Sequence, residues 1–128
     1  MLDSTRRLRV LVVDDNRDAA DSLALLVQSE GHEVYVAYDA VTGLELAWEL
    51  LPQVVLHDIR MPGMEGYEAA QRMRKTAELD PAMLVAVTGC ADARFAERAQ
   101  AAGFDRHYLK PLSYRDLRDV LGSVRPPL

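Results

Sequence analysis

Five short apolar runs punctuate this chain of 128 residues, and the segments between them carry helical spacing. Few folds accommodate that alternation. The runs cover residues 10–13, 34–38, 54–56, 83–87 and 108–109. Most are dense in Val and Leu with no polar alternation, as expected of strands buried on both faces. Strand–helix repeated five times predicts an α/β fold: a mostly parallel sheet, helices on both of its faces and right-handed crossovers. Periodicity leaves the strand order open.

The intervening segments read as amphipathic helices. The first places Ala19, Leu23, Leu26 and Val27 on one face, with Gly31 as the C-terminal cap after Glu30. The second gathers Leu44, Ala47, Trp48 and Leu51 before Pro52 stops it. The third, 65–75, turns Ala69, Ala70 and Met73 inward, and the fourth, 92–102, carries Phe95, Ala99 and Ala102 ahead of Gly103. The fifth opens at Ser113, with Asp116 three residues on in a capping-box-like arrangement, and buries Leu117, Val120 and Leu121.

Without repeats or a Gly/Ser linker, the chain reads as one domain over 8–124, with an N-terminal extension over 1–7 and a C-terminal tail over 125–128. A hydrophobic share of 49% against 27% charged excludes disorder and collagen-like folds. The longest apolar stretch, 82–87, is too short to span a bilayer, and the apolar run near the N-terminus is too short for a secretory signal. Cys90 is the sole cysteine, which excludes an internal disulfide and most cysteine-based metal sites. A cytoplasmic protein without membrane contact is expected. The net charge of −5 argues against direct nucleic-acid binding, which needs a basic footprint. The basic residues are almost all Arg, and one of the two Lys, Lys110, immediately precedes Pro111.

In open α/β sheets function collects outside the carboxyl ends of the strands. Those ends supply Asp14 and Asp15, then Asp58, Thr88 and Lys110. Taken singly these residues are bland: an Asp pair after a strand is commonly a turn or a helix cap, and a lone Lys a solvated charge. Together they bring three carboxylates, a hydroxyl and an ammonium to one rim. Close carboxylates repel by about 4 kcal/mol per pair at an effective dielectric near 20. Raised pKa values, a bound cation or the lysine must offset this. An all-oxygen donor set with few carboxylates suits Mg²⁺ better than Ca²⁺, and a carboxylate beside Mg²⁺ and Lys is a plausible phosphoryl acceptor.

The motifs VLVVDDN (10–16), DIRMPGMEG (58–66), VTG (87–89) and Lys110-Pro111 resemble the receiver domains of two-component response regulators, over nearly the whole chain. The resemblance implies a doubly wound, flavodoxin-like sheet of order 2-1-3-4-5 with five helices on its two faces. It implies Asp58 as phosphoacceptor. Asp15, Asp58 and the backbone carbonyl of Arg60 are then direct Mg²⁺ ligands (with Mn²⁺ as an alternative ion), and Asp14 acts mainly through water. Thr88 bonds the phosphoryl group, Lys110 pairs with one of its oxygens, and Lys110-Pro111 carries a cis peptide bond. The donor is a phosphohistidine on a histidine kinase or phosphotransfer protein, and the phosphorylated state alters contact with a downstream partner. Such a module catalyses its own phosphorylation and slow dephosphorylation without being a turnover enzyme. The stretches 16–23 and 102–111 further resemble receivers at the C-terminus of hybrid histidine kinases, so the chain is either a stand-alone receiver or one cut from a larger protein.

Departures from the family pattern cluster near the site. His107 occupies the switch position three before Lys110, where Tyr or Phe is usual; Tyr108 should face the other way by period-two alternation. Either His107 stays partly exposed, with activation relying more on the Thr88 loop and the following helix, or it is a surface residue with no switching role. His57 replaces an apolar core residue and reads as a hydrogen-bonded core histidine, not a ligand. His32 reads as a surface residue, and Glu65 replaces a more typical Asp. Arg60 and Cys90 lie two residues after Asp58 and Thr88, where the family tunes dephosphorylation. Other function classes fit less well. An aspartyl phosphohydrolase wants a carboxylate at position 60, a vestigial module would not retain the whole constellation, and a flavin or dinucleotide site wants a Gly-rich first turn.

Overall fold

The computed structural model describes residues 7–124. The expected extension over 1–7, apart from Arg7, and the tail over 125–128 lie outside the described residues. Five strands alternate with five helices: β1 Arg9–Val13, α1 Arg17–Ser29, β2 Glu33–Ala37, α2 Ala40–Leu50, β3 Val54–Asp58, α3 Gly66–Arg74, β4 Met83–Thr88, α4 Phe95–Ala102, β5 Arg106–Leu109 and α5 Tyr114–Ser123. A short 3-10 turn, Ala77–Leu79, precedes β4. The sheet order is β2-β1-β3-β4-β5, every pair parallel.

Strand position explains strand composition. The central β3 is buried along its whole length, whereas the edge strands β2 and β5 are only partly covered. Alternate residues divide between two cores. Leu11, Val13 and Val55 pack beneath α2, α3 and α4, while Val10, Val12, Val54 and Leu56 pack beneath α1 and α5. Burying long runs of Val and Leu on both faces is what the dense apolar pattern requires.

Caps set the helix boundaries. Asn16, Asp39 and Ser113 each accept the backbone N–H three residues on, beginning α1, α2 and α5. Gly31 and Gly103 follow α1 and α4 with φ of 93° and 109°, a conformation that costs glycine least. Two expected faces are corrected. Trp48 and Leu51 are 45% and 42% exposed, because α2 packs through Ala40, Gly43, Leu44 and Ala47. In α1 the fully buried residues are Ala20, Ala24 and Val27, while Ala19, Leu23 and Leu26 are half-buried. The helix α4 begins at Phe95, so Asp92 belongs to the loop before it. His32 is half-buried at the surface, where its Nδ1 accepts the Leu8 N–H at 3.0 Å.

The start of α3 is clamped to the end of β3. Gly66 N–H donates to the Ile59 carbonyl at 2.8 Å, and a Cβ at Gly66 would lie 2.4 Å from the Asp58 carbonyl oxygen and 2.9 Å from Ile59 Cα. Both obstacles are backbone, so neither can swing aside. Gly66→Ala should therefore destabilise the protein by about 2 kcal/mol, the scale of overpacking a close contact, read from urea unfolding. An unchanged midpoint would show that the clamp is not tight.

Candidate functional site

The parallel sheet delivers its carboxyl ends to one rim. Asp14 follows β1, Asp58 ends β3, Thr88 ends β4 and Lys110 follows β5. Their backbone is tied down locally: Asp14 N–H donates to the Ala37 carbonyl at 3.1 Å, and Lys110 N–H to the Thr88 carbonyl at 2.8 Å. The Lys110–Pro111 peptide bond is cis.

Around the rim, Asp15, Asn16, Asp58, Arg60, Thr88, Gly89, Cys90 and Lys110 line an open depression of about 510 Å³. Asp14 and Asp58 are each 6% exposed and Thr88 1%, while Asp15 is exposed. Lys110 Nζ bridges the two buried carboxylates, 2.6 Å from Asp14 Oδ2 and 3.2 Å from Asp58 Oδ2. The other Asp58 oxygen accepts the Ile59 N–H at 2.8 Å. Thr88 Oγ1 donates to the Cys90 carbonyl at 3.3 Å and accepts the Cys90 N–H at 3.4 Å, which folds the β4–α4 loop back over the strand end.

The electrostatics follow from burial. Desolvation pushes the Asp58 pKa above the usual carboxylate value, the Lys110 ammonium pulls it down, and the Asp14 charge pushes it up again, leaving it raised. For Lys110 burial acts to lower the pKa, but the hydrogen bond to Asp14 and the charges of Asp58 and Asp14 outweigh it, so the ammonium is held above its ordinary value. Ligand oxygens from Asp14, Asp15 and Asp58 lie within 4.8 Å of one another. One ammonium against three carboxylates leaves two negative charges uncompensated. Such an oxygen set fits a hard divalent cation, as Mg²⁺ requires.

In family and fold comparisons, residues 10–122 match the response regulator receiver domain. This chain belongs to that family. A CheY-like response regulator receiver domain protein from Methanospirillum hungatei JF-1 is 31% identical, with a TM-score of 0.84 over 91% of both chains. The chemotaxis protein CheY4 of Vibrio cholerae superposes with a TM-score of 0.86 at 24% identity, covering 93% of this chain and 99% of its own. The receiver domain of a DNA-binding response regulator (merR) from Colwellia psychrerythraea 34H gives 0.83 at 24% identity, over 90% and 95%. The last two likenesses concern the fold. The receiver is a phosphoryl-accepting signalling switch of a two-component system, a family that works with histidine kinases or phosphotransfer proteins.

The remaining singled-out residues sit as follows. Along β5, Tyr108 packs toward α1 and α5, whereas His107 is exposed on the opposite face, its ring 5.3 Å from Phe95 and edge-on at 84°. Cys90 is exposed at the depression's rim. Glu65 occupies the N-cap position of α3 without a side-chain capping bond. His57 is buried, and its Nδ1 lies 2.6 Å from the Asp58 carbonyl. Because a carbonyl only accepts, Nδ1 carries the proton, and Nε2 is left buried without a partner. The expected hydrogen-bonded core histidine is thus only half satisfied. Missed by the sequence reading was a second cavity of about 270 Å³ below the rim, lined mainly by apolar side chains including Leu23, Leu26 and Leu112. Its signal was present in the half-buried stripe of α1.

Proposed function

We propose that Asp58 is the phosphoacceptor of this receiver and that Lys110 and Thr88 serve the transfer. The Lys110 ammonium lying between Asp14 and Asp58 carries this reading, because it brings a fixed positive charge to the acceptor oxygen. Asp58 Oδ attacks phosphorus in line; the P–N bond of a phosphohistidine breaks, and the donor imidazole departs with the bond's electron pair. Lys110 stays paired with the phosphoryl oxygens as charge collects there, and the Thr88 hydroxyl donates to another. Asp15, Asp58 and the Arg60 carbonyl would hold Mg²⁺ (or Mn²⁺) directly, and Asp14, already engaged by Lys110, would reach it through water. The cation, when bound, neutralises phosphoryl charge and orients the incoming group.

The module would catalyse this transfer and a slow hydrolysis of its own acyl phosphate. Its donor would be a histidine kinase or phosphotransfer protein in the cytoplasm, and its output a change in affinity for a downstream protein. The net charge of −5 favours protein partners over nucleic acid. Residues 8–124 form the proposed domain. Among the described residues no helix is long and apolar enough to cross a membrane.

The test is incubation with Mg²⁺ and acetyl phosphate followed by intact-mass measurement, which should show one phosphoryl adduct. Metal binding has its own readout. Mg²⁺ at a hundred times its dissociation constant should stabilise the fold by about 2.7 kcal/mol, since the unfolded chain hardly binds it. Asp15→Asn, which removes one repelling charge, should raise the stability of the metal-free protein and erase most of that gain. Thermal melts indifferent to tens of millimolar Mg²⁺ would count against the site.

A further inference from the structure

One cation at the rim has no part in the transfer described above. Arg60 lines the same depression as Asp58 and Thr88. Its guanidinium engages Asp92, Nη2 to Oδ2 at 3.4 Å, in the loop between β4 and α4. Both side chains are about half exposed, at 53% and 48%, so the pair is weak and exchangeable.

Asp92 also organises the beginning of α4. Its Oδ1 accepts the Arg94 N–H at 2.9 Å and its carbonyl accepts the Phe95 N–H at 3.2 Å. The N-cap residue Arg94 makes no side-chain capping bond of its own. Phe95, the first residue of α4, is buried and meets the exposed His107 edge-on. A continuous set of contacts thus runs from the acceptor strand through Arg60, Asp92 and Phe95 to the surface of β5.

We infer that Arg60 and Asp92 form a latch holding the start of α4 to the acceptor loop, and that phosphorylation opens it by partner exchange. The inference rests on Asp58 being the acceptor. A phosphoryl group there places close to two negative charges and three strong acceptor oxygens two residues from Arg60. A guanidinium binds such a group through short, charge-assisted and often bidentate hydrogen bonds. A half-exposed carboxylate at 3.4 Å is a poor competitor. Once Arg60 turns to the phosphoryl oxygens, Asp92 loses the only cation paired with it among the described residues, and the first turn of α4 is tied to the acceptor loop no longer. The contact between Phe95 and His107 is where the change reaches the outer surface.

Deuterium exchange over residues 92–98 of the full chain tests this, measured with Mg²⁺ alone and after acetyl phosphate, with the adduct fraction taken by intact mass on the same sample. In the wild-type protein, phosphorylation should speed exchange there about three- to five-fold, the effect of losing an exposed ion pair on local opening. In Arg60→Met and in Asp92→Asn, exchange should already be fast before phosphorylation and rise no further after it. A merely structural pair would raise the starting rate yet leave the phosphorylation-induced increment intact, and that result in either folded variant overturns the latch. A full adduct on the wild-type protein with no change in exchange also overturns it while leaving the acceptor assignment standing. Absence of any adduct on the wild-type protein removes both.

Discussion

Asp58→Asn should abolish the Mg²⁺-dependent phosphoryl adduct entirely, with no adduct appearing on any other side chain. The reason is geometric and electrostatic together. Among the described residues three carboxylates meet at the rim, but Asp14 is held by Lys110 at 2.6 Å, and Asp15 is exposed and has no ion pair to that ammonium. Asp58 combines contact with Lys110 at 3.2 Å with placement in the open depression that also holds Thr88. Substituting an amide removes the nucleophilic charge while keeping the shape. Intact mass with acetyl phosphate, followed by peptide mapping, reads the result. An undiminished adduct in Asp58→Asn would move the acceptor elsewhere and dissolve the proposed roles of Lys110 and Thr88.

His57→Leu should make the protein resistant to mild acid. Burial holds the His57 pKa down at about 4 against an ordinary 6.5, with the Asp58 carbonyl and the Asp14 charge only partly opposing it. Between those values the unfolded chain takes up a proton that the folded chain refuses, so stability falls as pH drops through that window. The loss amounts to about 2 kcal/mol by pH 5 and about 3 kcal/mol below pH 4. A leucine cannot titrate, and it also removes the buried Nε2 that lacks a partner, a defect of about 1–3 kcal/mol. Against this stands the loss of the bond from Nδ1 to the Asp58 carbonyl. Urea unfolding at pH 7.5 and pH 5 should show the wild-type protein losing about 2 kcal/mol more than His57→Leu across that interval. Equal losses would mean that His57 protonates in the folded state without cost.

Neither result could be anticipated in full from residue order. His57 is an odd residue in an apolar strand, and its identity alone suggested a satisfied core histidine. Only the packed sheet, with Val13 and Ala86 as its register neighbours in β1 and β4, shows that nothing polar reaches Nε2. The Arg60–Asp92 pair spans 32 residues of chain, and no local pattern encodes it. Trp48 misled for a related reason. Helical spacing places it beside Leu44 and Ala47, but α2 lies so close to β1 that a Cβ at Gly43 would come within 2.9 Å of Val13, so small residues face the sheet and the indole is left outside.

What the sequence determined by itself was whatever depends on short-range chemistry. Valine-rich runs must be buried as strands, Ser113 and Gly103 mark helix ends, and hydrophobic period separates strand from helix. Strand order and the rim residues' roles came from resemblance to the receiver family; periodicity supplied neither. Tertiary structure alone decided which carboxylate Lys110 grips most closely, which helix faces are covered, and which buried nitrogen goes unpaired. Those outcomes turn on distances of a few ångströms between groups far apart in the chain. They are set by how tightly helices seat on a twisted sheet, a property of the whole packing that no single segment carries.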